Sequence, residues 1–108
     1  MPISAINFNS RNFVKVVAGA KRTTIRLGDK TYSVGICAFM CDGVPVDNVG
    51  EITEIRKVRF GALGLSDAVE HGYNNLDELK AELESCYQRS IHASDVITIV
   101  RFEMDGEQ

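Results

Sequence analysis

Gly19-Ala20-Lys21-Arg22-Thr23-Thr24-Ile25-Arg26 is the run on which the reading of the chain turns. A glycine that tolerates the left-handed conformation stops a helix near Ala18. The β-branched residues that follow predict a strand over Thr23–Leu27. Alternation places Thr23, Ile25 and Leu27 on one face of that strand, and Thr24 with Arg26 on the other. The first face can join a core; the second presents a hydroxyl and a guanidinium together. Lys21 and Thr24 are three apart, so one regular strand would point them to opposite faces. Both reach one pocket only if Lys21 lies in the turn after Gly19, before the strand begins.

Working outward, Ala5–Phe8 reads as a short edge strand and Ser10 as the N-cap of the first helix. Phe13, Val16, Val17 and Ala20 give that helix an apolar stripe. Beyond the central strand, Gly28-Asp29-Lys30 is a turn and Val34–Met40 the next strand. Asp42-Gly43 is a hairpin signal, and Pro45 marks a short irregular connection. Val49–Arg59 alternates around Ile52, Ile55 and Val58, imperfectly enough to predict a bulge near Arg56. Phe60-Gly61 leads into a loop. Ser66 or Asp67 caps a short helix through Glu70, which Gly72 ends. Asn75 and Glu78 form a capping box for a helix whose stripe is Leu76, Leu79, Leu83 and Cys86. Val96–Phe102 is the final strand, and Asp105–Gln108 a frayed tail. Short strands in this number, with three helices, predict an α+β fold: a small, partly closed β-barrel with surrounding helices.

Composition bounds the function. The 108 residues suit one domain, spanning 1–108 with an ordered core over about 5–103. No apolar run approaches the ~20 residues that span a bilayer, and no signal peptide is evident, so the expected compartment is the cytoplasm. A net charge of −3 lacks the surplus of Lys and Arg that non-specific nucleic-acid binding draws on. Lys15, Lys21, Arg22 and Arg26 make a local basic patch, enough for one phosphate or nucleotide. Cys37, Cys41 and Cys86 form no CxxC pair and are expected as buried, reduced thiols. His71 and His92 lie apart from them, so no metal site or other cofactor is expected.

The run G-x-K-x-x-T-I-R resembles the signature of ASCH domains, the activating-signal-cointegrator homology family with a PUA-like barrel. The resemblance extends over nearly the whole chain, including the Leu76-Asp77-Glu78-Leu79-Lys80 helix with Tyr87 at its end. It is closest to the short, stand-alone YqfB-like members, which hydrolyse the amide of N(4)-acetylcytidine with a lysine, a threonine and a glutamate. The first two fall without a gap on Lys21 and Thr24. No glutamate occupies the third position without a gap. A shift of one or two loop residues gives Glu70 or His71, and Glu70 is the choice because a carboxylate matches the family role.

The resemblance thus implies an N(4)-acylcytidine amidohydrolase whose catalytic residues are Lys21, Thr24 and Glu70. Threonine is a poor nucleophile unless a base takes its proton, and Lys21 can do so only when neutral. Backbone N–H groups near the Gly19 turn, or Arg26, can stabilise the oxyanion. Glu70 would donate to the departing amine. Phe60, Tyr73 and Tyr87 are candidates to stack on the cytosine, with Phe60, Tyr73 and Arg26 taken as the substrate-binding set. The expected partner is a small modified nucleoside rather than a membrane or a nucleic acid. The rival readings are a PUA-like RNA-binding module without catalysis and a ribonuclease.

Overall fold

A computed structural model describes residues 3–104; the tail expected at Asp105–Gln108 lies outside the described residues. The element order is β1 (Ser4–Phe8), α1 (Ser10–Val17), β2 (Thr23–Leu27), β3 (Gly35–Cys41), β4 (Val44–Arg59), a 3₁₀ turn (Phe60–Ala62), α2 (Leu65–Glu70), α3 (Leu76–Tyr87) and β5 (Val96–Met104). The strands form one mixed sheet in the order β1-β3-β4-β5-β2. β1 runs parallel to β3, and β3 antiparallel to β4. The fold is α+β, as the strand and helix pattern predicts. The chain groups into two compact units.

Among the described residues, the first unit holds 3–24, 31–55 and 100–104. Its core is Ile6, Phe8, Val16, Cys37, Phe39, Ile52, Val100 and Phe102. Three of these form an aromatic cluster, with ring centroids 5.6 Å apart for Phe39 and Phe102 and 5.7 Å for Phe8 and Phe102. Edge-to-face and tilted geometries of this kind add to a burial term of about 2–3 kcal/mol per ring. Gly50 packs against them so closely that a Cβ would overlap the Glu103 carbonyl oxygen and lie 2.7 Å from the Phe39 ring.

Helix α1 is capped by Asn9, whose Oδ1 accepts from the Asn12 N–H at 2.8 Å, while Ser10 is its first residue. Both residues can cap, and the side chain one place earlier takes the role. The buried stripe is narrower than expected. Val16 is at its centre with Phe13 half-buried on its flank, whereas Val17, some 100° further round, is exposed, as is Ala20. After β3, Asp42 and Gly43 both have positive φ (51° and 80°), the pairing a two-residue hairpin turn requires. Pro45 does not break the strand: β4 begins at Val44, and Pro45 faces Met40 beside a register shift between Ala38 and Met40. A residue with no N–H is tolerated where the ladder is already irregular.

The second unit holds Ile25–Lys30 and Arg56–Ile99. Leu27, Leu63, Leu79, Leu83, Ile91, Ile97 and Ile99 are its core. Asn75 caps α3 by accepting from the Glu78 N–H at 2.9 Å. The Glu78 carboxylate accepts from Asn74 N–H at 3.0 Å, one residue before the cap, rather than from the cap itself. The last turn packs through Tyr87, whose hydroxyl accepts from the Leu27 N–H at 3.0 Å, while Cys86 is exposed. Of the three thiols expected to be buried, only Cys37 is; Cys41 is half-buried. Helix α2 is capped by Gly64, and Asp67 serves from inside the helix, its carboxylate accepting from the Gly64 N–H at 2.8 Å.

Candidate active site

The corner between α1 and β2 is set by backbone hydrogen bonds. Ala18 closes α1, and Gly19 turns the chain at φ +80°, which glycine reaches without a Cβ penalty. The N–H groups of Ala20 and Lys21 both donate to the Lys15 carbonyl, at 3.0 and 3.2 Å, and the Gly19 N–H donates to Val16. This arrangement consumes the helix's terminal carbonyls and fixes where Lys21 leaves the turn. Lys21 is half-buried and lies outside β2, which starts at Thr23. The sequence requirement that Lys21 precede the strand is therefore met. The same bonds bring a correction. The amides of Gly19, Ala20 and Lys21 are occupied by backbone carbonyls, so the turn does not offer them to an oxyanion.

Thr24 is only 5% exposed, and so is Thr23. Strand alternation predicted one covered and one open face, yet both residues are covered. Beside Lys21, in the first unit, lies a hollow of about 300 Å³. Its floor is Val16 and Phe102, its sides include Val17, Ala18 and Met104, and its rim carries Lys21, Arg22 and Glu103. Thr24 does not line it. Arg22 is tied to the corner through its Nε, which donates to the Gly19 carbonyl at 3.4 Å. Phe102, Glu103 and Met104 could not be connected to this corner from the sequence, because some eighty residues separate them from it.

Arg26, Phe60, Glu70 and Tyr73 belong to the second unit. Arg26 sits in β2 half-buried, with its Nε atom fully covered. Phe60 and Tyr73 are half-buried and pack against the leucine-rich core, and so does Tyr87. Glu70 is the last residue of α2 and is exposed; His71 is its C-cap and is half-buried. Ala68 packs inward, but Val69 is 59% exposed. The burial that a proton-holding Glu70 would draw on is not found there. An ion pair from Arg56 to Asp67 (3.7 Å) and the Tyr73 N–H donating to Ala68 (2.9 Å) hold this segment. No helix is long and apolar enough to cross a membrane, and among the described residues no His, Cys, Asp and Glu cluster with metal-binding geometry occurs.

No family model matches the sequence, and no curated protein matches it either. Solved structures do match. An ASCH domain from Lactobacillus crispatus superposes with a TM-score of 0.68 at 16% identity, covering 94% of this chain and 79% of its own. A protein from Enterococcus faecalis, of a domain family of unknown function, gives 0.66 at 17% identity, over 97% of this chain and 77% of its own. A hypothetical protein gives 0.63 at 17% identity, over 96% of this chain and 100% of its own. The fold is thus the PUA-like fold of ASCH domains. At these identities the likeness speaks for the fold alone.

Proposed function

We propose that the chain is an amidohydrolase that cleaves the N(4)-acyl amide of acylated cytidine or cytosine, releasing cytidine or cytosine and a carboxylate. The observation that carries this reading is the corner itself. It holds a lysine out of the strand by two backbone bonds to one carbonyl, three residues ahead of a buried threonine, in the wording G-x-K-x-x-T-I-R.

In this reading neutral Lys21 takes the proton of the Thr24 hydroxyl, and the oxygen attacks the acyl carbon. Arg26 stabilises the tetrahedral oxyanion, since the turn amides are occupied. Collapse breaks the carbon–nitrogen bond as Glu70 donates a proton to the cytosine amine. Water then hydrolyses the threonine ester: the Glu70 carboxylate takes the attacking water's proton, and the protonated Lys21 returns its proton to the Thr24 oxygen as that bond breaks, so both groups end in their starting states. Phe60 and Tyr73 supply ring faces for the pyrimidine. The scheme calls on no metal or organic cofactor.

The test is incubation of the purified chain with N(4)-acetylcytidine, with chromatography for cytidine and acetate. Stoichiometric appearance of both supports the reading. Intact substrate, together with tight and salt-sensitive binding of RNA, overturns it in favour of an RNA-binding module.

A further inference from the structure

The first unit carries two exposed apolar surfaces on opposite sides, and neither holds a residue placed in the proposed reaction. One is the outer face of the sheet. Strand alternation turns Cys37, Phe39, Gly50 and Ile52 inward and sends Ile36, Ala38, Val49 and Glu51 outward. Register sets Ala5 beside Ala38 and Ala38 beside Val49, so short apolar side chains form one row across β1, β3 and β4. Ile36, next along β3, is 69% exposed, and Ile3 and Val34 are exposed as well. The charge around this row is mainly acidic. Glu51 pairs with Ile36 across the strands, Glu54 lies further along β4 and meets Arg101 at 3.3 Å, and Asp42 and Asp47 are exposed around the β3–β4 turn.

The other surface is the outside of α1. Val16 of this helix is built into the core with Phe8, Phe39 and Phe102, which the inner face of the sheet supplies, so the far side of the helix looks away from the sheet. Val14 is 67% exposed, and the exposed Val17 and Ala18, three and four residues on, continue it as one apolar ridge. Arg11 and Lys15, four apart and exposed, line one flank of that ridge.

We infer that these surfaces are the two halves of one interface, in which a second copy of the chain seats its α1 ridge on the outer sheet face of the first. Charge decides the pairing. Two sheet faces stacked together would bring Glu51 and its acidic neighbours against each other, and two α1 ridges would do the same with Arg11 and Lys15. Ridge on sheet sets cations against carboxylates. The Ala5–Ala38 row has little side-chain height, which lets a helix ridge approach the strands closely. The contact is heterologous, so each copy keeps one surface open and association continues beyond a pair. A helix of eight residues is about 12 Å long and covers far less than the roughly 800 Å² per partner of a standard interface, so the association is weak and concentration-dependent.

The experiment is sedimentation velocity of the purified chain from about 10 µM to about 1 mM, a range that brackets weak association. Ile36→Arg and Val14→Asp each set a like charge against the surface they would meet. Both positions are exposed, so circular dichroism should show the fold intact. The wild-type weight-average mass should rise past that of a dimer, and about 0.5 M salt should lower the association constant at least about threefold. Each variant alone should lose at least about tenfold in that constant. An equimolar mixture of the two variants should form a one-to-one pair and go no further, because Val14→Asp keeps its sheet face and Ile36→Arg keeps its helix. A wild-type chain that stays monomeric overturns the interface, as does growth that either variant leaves unchanged. A wild-type series that stops at a dimer, or a mixture that stays monomeric, overturns the ridge-on-sheet pairing.

Discussion

The corner from Lys15 to Thr24 and the segment from Gly64 to Glu78 solve the same local problem in different ways. Each ends a helix at a positive-φ glycine, Gly19 at +80° and Gly72 at +92°, and each carries candidate catalytic groups near that stop, after it in the first and before it in the second. In the first, two successive amides converge on the Lys15 carbonyl and Thr24 is buried one residue into a strand. In the second, a helix of six residues carries Glu70 at its exposed end, anchored chiefly by Ala68 and by Asp67. A backbone-fixed corner sets its side chains through hydrogen bonds that substitutions leave in place. A short helix sets them only through its packing. The lesson is that side-chain placement is fixed residue by residue at the first, while at the second only the segment is fixed.

The sharpest way to break this comparison is at Thr24. Thr24→Ala should lower kcat by at least about 1,000-fold on acetylcytidine, because no other hydroxyl is held at that place. Thr24→Ser should recover part of the loss. The exchange to alanine removes little buried volume, so thermal unfolding should show a cost of only about 1–2 kcal/mol. Wild-type turnover by Thr24→Ala ends the nucleophile assignment.

The next largest effect is expected at the second segment. Glu70→Gln should reduce kcat by about 100-fold, the scale of a lost general acid, with the fold retained. His71→Asn should cost no more than about threefold. The reverse ranking transfers the acid role to His71, which is half-buried. Either ranking locates the acid within two residues. Equal and negligible effects would remove this segment from the chemistry.

Two further substitutions separate stability from activity. Gly50→Ala brings a Cβ into the Glu103 carbonyl and the Phe39 ring, so the backbone must move; chemical denaturation should show a loss of about 3 kcal/mol. Tyr87→Phe removes the acceptor of the Leu27 N–H and should cost about 1 kcal/mol. Neither touches the proposed reaction groups, so kcat of the folded fraction should be unchanged.

The smallest effect is electrostatic and belongs to the second segment. The Asn74 N–H and side-chain amide hold the Glu78 carboxyl below its ordinary range, and the His92 N–H does the same for Asp95, opposed by partial burial and assisted by Arg89. A depressed folded pKa contributes stability above the unfolded value and loses it as pH falls through the folded one. Stability should therefore decline below about pH 4. Glu78→Gln should be less stable than wild type at pH 7, and the two should converge as pH falls through the lowered folded-state pKa of Glu78. A difference that persists in acid would mean that the capping contacts, not the charge, are responsible.

How much of this was legible in the sequence follows from how local each determinant is. Strand β2 falls on Thr23–Leu27 as expected, the stop at Gly19 and the Asp42-Gly43 hairpin were readable from φ preference, and Asn75 announced α3. Where two adjacent residues could serve, as with Asn9 and Ser10 or Cys86 and Tyr87, spacing alone favoured the wrong one, because the choice depends on what the helix packs against. Burial of both Thr23 and Thr24 was not visible, since alternation assumes one open face. At the site, Lys21's place before the strand was legible, and β2 does start after it, at Thr23. The hollow was not, because Phe102, Glu103 and Met104 reach it only through the pairing of the last strand.

The claim at the centre of this account is that Lys21 is a base, and Lys21→Met addresses it directly, replacing the amine with an apolar chain of similar length. The measurement is kcat on N(4)-acetylcytidine across pH 6–10, with near-ultraviolet circular dichroism confirming the fold. The expected wild-type profile is bell-shaped, since Lys21 must be neutral while Glu70 holds its proton, and the expected Lys21→Met rate is lower by at least about 1,000-fold without that shape. A Lys21→Met chain that keeps both the rate and the pH profile would contradict it.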